Sequence, residues 1–92
     1  MVQRGNKGEV TFICAGLSAA KTAYLAGDFN GWDPTATRMT KSKDGTFRVR
    51  LVLPPGAHEY KFIVDGEWRN DPEAERQVMN SLGTLNSVVQ LL

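Results

Sequence analysis

The residues best placed to do chemistry in this chain are its two tryptophans. Trp32 lies in Gly27-Asp28-Phe29-Asn30-Gly31-Trp32-Asp33-Pro34, a run dense in turn formers, and Trp68 follows the Asp65-Gly66 pair between charged Glu67 and Arg69. Neither setting is an obvious core position. An indole is flat, rigid and apolar, with a negative face. The axial C–H groups of a glucopyranose ring form a weakly positive apolar patch that stacks on such a face, while nearby amides, hydroxyls and an ammonium group bind the sugar hydroxyls. Two platforms suit a curved, helical glucan, whereas flat chains want a coplanar row. The competing use of either ring is to plug an end of the fold, and the residues alone leave both uses open.

Other chemistries have weaker support. The one histidine, His58, falls on the same face as Tyr60 and Phe62, which reads as packing in or beside the core. With no second histidine, and with Cys14 far away in sequence, neither a His/Cys metal site nor a Cys–His dyad is expected. Carboxylates are plentiful (Asp28, Asp33, Asp65, Glu67, Asp71 and Glu73), but a glycosidase needs two of them flanking one bond across a cleft. Turn geometry already accounts for Asp44 and Asp65. The expectation is a protein that is not an enzyme and has no catalytic residue, no metal and no cofactor. The net charge of +1, from 11 basic and 10 acidic side chains, argues against a phosphate-driven partner, and Arg48, Arg50, Lys61 and Arg69 are dispersed rather than clustered. No nucleic acid is therefore expected as a partner. No membrane is expected either, since no apolar run approaches the roughly 18 residues of a span and no leader pattern is visible. Cys14, alone in an apolar stretch, reads as a small buried hydrophobe and suits a reducing, cytoplasmic location.

The elements that must position the tryptophans are strands. Ninety-two residues at 41% hydrophobic content support one core, so residues 1–92 read as a single domain. Thr46 to Leu53 alternates, with Phe47, Val49, Leu51 and Leu53 on one face and Arg48 and Arg50 on the other. Pro54-Pro55-Gly56 forces a turn. Ala57 to Asp65 alternates again, with His58, Tyr60, Phe62 and Val64 opposite Glu59, Lys61 and Ile63, and the two runs read as an antiparallel hairpin. Asp65-Gly66 is a tight-turn pair leading to a short strand at Glu67 to Arg69. Glu9 to Ala15, Thr22 to Gly27, Arg38 to Lys41 and Asn86 to Leu91 complete the set, and residues 70 to 83 read as a loop around one helical turn capped by Asp71. The pattern predicts an all-β fold, an immunoglobulin-like antiparallel β-sandwich of about seven strands.

Read together, these pieces resemble carbohydrate-binding module family 48, which includes the glycogen-binding domain of the AMP-activated protein kinase β subunit and the N-terminal modules of glycogen-branching and debranching enzymes. The resemblance rests on Tyr24 to Trp32, on Leu53 to Trp68, and on Asp71-Pro72 followed by Leu82-Gly83-Thr84-Leu85-Asn86, and it covers about residues 22–91. It implies a non-catalytic module that binds α-1,4-glucans such as glycogen, starch, maltooligosaccharides or cyclodextrin. It also implies the site: Trp32 and Trp68 as stacking platforms, Lys61 donating to hydroxyls, Leu82 pressed against the glucan coil, and Thr84 and Asn86 hydrogen-bonding to it. Each has an ordinary alternative, with Leu82 in the core, Lys61 in a surface ion pair with Glu59, and Thr84 and Asn86 as turn and strand residues. The alternative function is a structural or protein-interaction module of a larger α-glucan-active enzyme or kinase complex, with the parent enzyme or kinase subunit as partner.

Overall fold

The computed structural model describes residues 1–17 and 19–92. The described residues form nine strands: β1 Val2–Arg4, β2 Glu9–Cys14, β3 Ala23–Gly27, β4 Thr40–Lys41, β5 Phe47–Val52, β6 Gly56–Val64, β7 Glu67–Arg69, β8 Arg76–Met79 and β9 Leu85–Leu91. They make two antiparallel sheets, one in the order β1-β2-β5-β4 and the other β3-β6-β9-β8, with β7 also on β6. The alternating apolar residues of each sheet face the other sheet. Phe12 and Phe47 come from the first; Leu25, Tyr60, Phe62 and Val89 come from the second. Tyr60 anchors this layer, its ring edge-on to Phe12 at 4.9 Å and to Phe62 at 5.8 Å. Burying each such side chain contributes roughly 1.5–3 kcal/mol, and the result is the all-β sandwich that alternation predicts.

The register of β6 shapes the functional face. On one flank its residues Tyr60 to Val64 pair with β3. On the other, Gly56 to Tyr60 pair with β9 and Phe62 to Val64 pair with β7, so β9 and β7 lie end to end with Lys61 between them. The free edge of β3 is covered by the segment that leads to β4, through Leu25 N–H to the Thr37 carbonyl and Met39 N–H to the Ala23 carbonyl, both at 2.9 Å. Covering that edge removes a template for strand addition.

The predicted hairpin between residues 46–53 and 57–65 does not form. β5 pairs with β2 and β4, while β6 pairs in the opposite sheet, so Pro54-Pro55 carries the chain from one layer to the other. Alternation reports which side of a strand is buried, and two facing strands of a sandwich satisfy it as well as two paired ones. The crossover is braced by His58, whose Nε2 donates to the Pro54 carbonyl at 2.8 Å. The predicted loop over residues 70 to 83 is also interrupted. Asp71 closes one turn, with Oδ1 accepting the Glu73 N–H at 2.9 Å, and the chain then enters β8. That strand was missed because it is an edge strand, largely exposed on both faces and without a period-two signal. β8 and β1 account for the excess over seven strands.

Candidate functional site

Trp32 is held by a loop in which each neighbour has a task. A side chain at Gly27 would meet the Phe29 ring at 2.4 Å and the Glu59 carbonyl at 2.6 Å, so only glycine fits. Asp28 ties the loop to β6, its N–H donating to the Glu59 carbonyl and its Oδ2 accepting the Glu59 N–H. Phe29 packs against the core. Asn30 closes the turn, its Oδ1 accepting from Gly27 N–H at 3.1 Å and its Nδ2 donating to the Leu25 carbonyl at 2.9 Å. Trp32 N–H then reaches back to the Gly27 carbonyl at 2.9 Å, which fixes Trp32 at a φ of 59°. Left-handed backbone at a bulky residue costs on the order of 1–3 kcal/mol and persists where the surroundings over-determine it, as they do here.

Trp68 is presented by a two-residue hairpin. Asp65 and Gly66 have φ values of 49° and 84°, the signs a type I′ turn requires. The Asp65 carboxylate is held well below its usual pKa by the backbone N–H groups of Thr22 and Lys21, which pin the turn to the preceding connection. Trp68 sits opposite Ile63 in the pairing, hence on the sheet's outer face, and is 48% exposed.

Between the indoles lies a groove of about 470 Å³, within the range of small-ligand sites. Lys61 rises through the gap between β7 and β9 into it. The far wall is the loop joining β8 and β9, closed by Asn80 N–H to the Thr84 carbonyl at 2.8 Å and by Gly83 at a φ of 83°. Leu82 stands at its tip, 87% exposed. Thr84 Oγ1 accepts from Lys61 Nζ at 3.1 Å. Asn86 is only 7% exposed and donates from Nδ2 to Glu59 Oε1 at 2.9 Å.

All six residues singled out in the sequence, Trp32, Lys61, Trp68, Leu82, Thr84 and Asn86, line this one groove. The ordinary alternatives fall away for two of them. Leu82 is not core, and Lys61 and Glu59 face different partners, Thr84 and Asn86, rather than each other. Asn86 is set deeper than a surface hydrogen-bonding group. Two lining residues, Asn80 and Ser81, went unread. The available signal was an Asn at the start of a Gly-containing turn, where its amide mimics backbone. Among the described residues no His, Cys, Asp or Glu side chains gather in a group able to hold a metal ion.

Comparison with known proteins fits this geometry. The family model "Glycogen recognition site of AMP-activated protein kinase" matches residues 15–92. The chain is 44% identical over 71 residues to 5'-AMP-activated protein kinase subunit beta-1 of Sus scrofa, covering 77% of this chain and 55% of that protein. It is 53% identical over 53 residues to Protein FLOURY ENDOSPERM 6, chloroplastic, of Oryza sativa subsp. japonica, covering 58% of this chain and 10% of that protein. It is 40% identical over 72 residues to Protein PTST homolog 2, chloroplastic, of Arabidopsis thaliana, covering 78% and 13%. The chain thus spans about half the length of the first of these relatives and far less of the other two.

Proposed function

We propose, since this chain belongs to the family described as the glycogen recognition site of AMP-activated protein kinase and is a carbohydrate-binding module, that its groove holds α-1,4-linked glucans such as glycogen, starch or their oligosaccharides. The observation that carries the reading is the convergence of an exposed indole (Trp68), a half-buried one (Trp32), an ammonium group and an exposed leucine on one groove. The indoles take the apolar faces of glucose rings, Lys61 and Thr84 bond their hydroxyls, and Leu82 presses against the coil of the chain. Asn86, being nearly buried, supports the rim and offers its remaining N–H. None of the described lining residues is a carboxylate, so the groove binds without the acid pair that glycoside hydrolysis uses.

Binding is weak, because a shallow groove recovers little burial against the cost of association. Each platform contributes roughly 1–3 kcal/mol, by analogy with aromatic stacking on nucleobases. The test is titration with β-cyclodextrin followed by backbone amide shifts, with retention on a glycogen affinity gel alongside. Saturable shifts confined to the groove are expected, and Trp68→Ala and Trp32→Ala each abolish retention while staying folded. If the wild-type chain gives no saturable response at millimolar ligand, a protein-interaction module is the better reading. Within a longer protein, the module's role is to bring a parent enzyme or kinase assembly to the glucan. A reducing, cytoplasmic location belongs to the same proposal, supported by the free thiol of Cys14, which burial keeps protonated.

A further inference from the structure

Asn80 belongs to none of the motifs on which the binding site was read, yet it makes more side-chain hydrogen bonds than any of the six residues predicted there. Its Oδ1 accepts the N–H of Leu82 at 2.9 Å and of Thr84 at 3.1 Å. Its Nδ2 donates to Thr84 Oγ1 at 2.7 Å and to Asn86 Oδ1 at 2.9 Å. Two lone pairs and two hydrogens are thereby all used. The orientation of the amide follows, because the flipped form would set oxygen against oxygen and N–H against N–H. One side chain thus holds the loop backbone under Leu82 and both polar residues of the far wall.

The consequence falls on Thr84. Its hydroxyl oxygen accepts from Asn80 Nδ2 and from Lys61 Nζ, and neither donor can act as an acceptor. Both lone pairs of the hydroxyl are occupied, and its hydrogen has no acceptor among the described residues. That hydrogen is left for whatever enters the groove. We propose that Asn80 is a positioning residue for glucan binding, one that makes Thr84 an obligate hydrogen-bond donor to an accepting oxygen of the sugar. This rests on the groove being the glucan site, and it adds a polarity to that site. A ligand that offers an oxygen lone pair at this point is accepted, and one that offers only a donor meets an oxygen with nothing left to give.

The experiment uses Asn80→Asp in the full chain. The carboxylate keeps an acceptor for the Leu82 and Thr84 amides and removes both donations from Nδ2. The amide shifts of Leu82 and Thr84 in the free protein, with an unchanged thermal midpoint, report that the loop is retained. The dissociation constant for β-cyclodextrin, measured at high salt to screen the new carboxylate from Lys61, is expected to rise roughly three- to tenfold, the loss of about one hydrogen bond. Thr84→Val is expected to weaken binding similarly. Asn80→Asp added to Thr84→Val is expected to cost clearly less than it does alone, because the part of its effect that runs through the Thr84 hydroxyl is already gone, while the bond to Asn86 Oδ1 is lost in either background. An Asn80→Asp variant that binds as wild type, or a loss that simply adds to that of Thr84→Val, overturns the assignment while leaving the glucan site standing. A wild-type chain that fails to bind β-cyclodextrin removes the site and this inference together.

Discussion

Leu82 and Trp68 place apolar surface in water, where it contributes nothing to folding, and Trp32 holds a left-handed backbone that costs free energy. Exposed apolar surface of this kind marks a contact face, whereas the Trp32 backbone is held by the loop hydrogen bonds around it. Leu82 separates the two contributions most cleanly. Because it touches so little of its own protein, Leu82→Ala is expected to leave unfolding free energy within about 0.5 kcal/mol of wild type. It should weaken glucan binding by about 1 kcal/mol, the value of roughly one buried methylene or slightly more. Thermal unfolding and cyclodextrin titration of the same sample check both. A variant that loses stability without losing affinity would return Leu82 to a structural role.

The two tryptophans are carried by connections that are rigid for local reasons. The hairpin of Trp68 depends on the Asp65 carboxylate, which caps the N–H groups of Lys21 and Thr22 and has its pKa lowered by them. A pKa lower in the folded state means that the ionised form is favoured by folding. The stabilisation is therefore complete above the ordinary aspartate value of about 3.9 and disappears as pH falls through the lower folded value. Asp65→Ala is expected to lower the thermal midpoint at neutral pH and to keep a smaller deficit in strong acid, where only the cost of alanine at positive φ remains. Midpoints measured across an acid series check this. Equal destabilisation at every pH would mean that the substitution acts through turn conformation rather than through the cap. The other loop, from Gly27 to Trp32, is held by the Asn30 amide, by Phe29 packing and by the Asp28 carboxylate, which accepts the Glu59 N–H.

At the scale of the molecule, two sheets share one thin core, and the groove exists because β6 is long enough to be paired by β9 and β7 in succession. Phe12 joins the layers, its ring 4.9 Å from that of Tyr60 and 5.8 Å from that of Phe29, which supports the Trp32 loop. Phe12→Ala is expected to cost about 3–5 kcal/mol, much of the roughly 5–15 kcal/mol that holds a domain together. Denaturant unfolding measures it, and a loss below 1 kcal/mol would mean that the sheets are not joined through this ring. Seven of the nine strands, the inward faces of β5 and β6, the Asp65-Gly66 turn and the unusual settings of Trp32 and Trp68 were legible in the residues themselves, while Lys61, Leu82, Thr84 and Asn86 came from the family resemblance. Period-two alternation and turn chemistry act over a few neighbours, and the groove motifs carry their own signature. Pairing was not legible. Whether residues 46–53 and 57–65 lie side by side or face to face depends on which arrangement buries both apolar faces at once, a property of the assembled layers. The same holds for Asn80. Its residue type marks a turn, and the four groups it bonds lie within six residues of it, but Thr84 receives its second donor only when that turn is set beside Lys61 on β6, so its place in the site was decided by the tertiary structure.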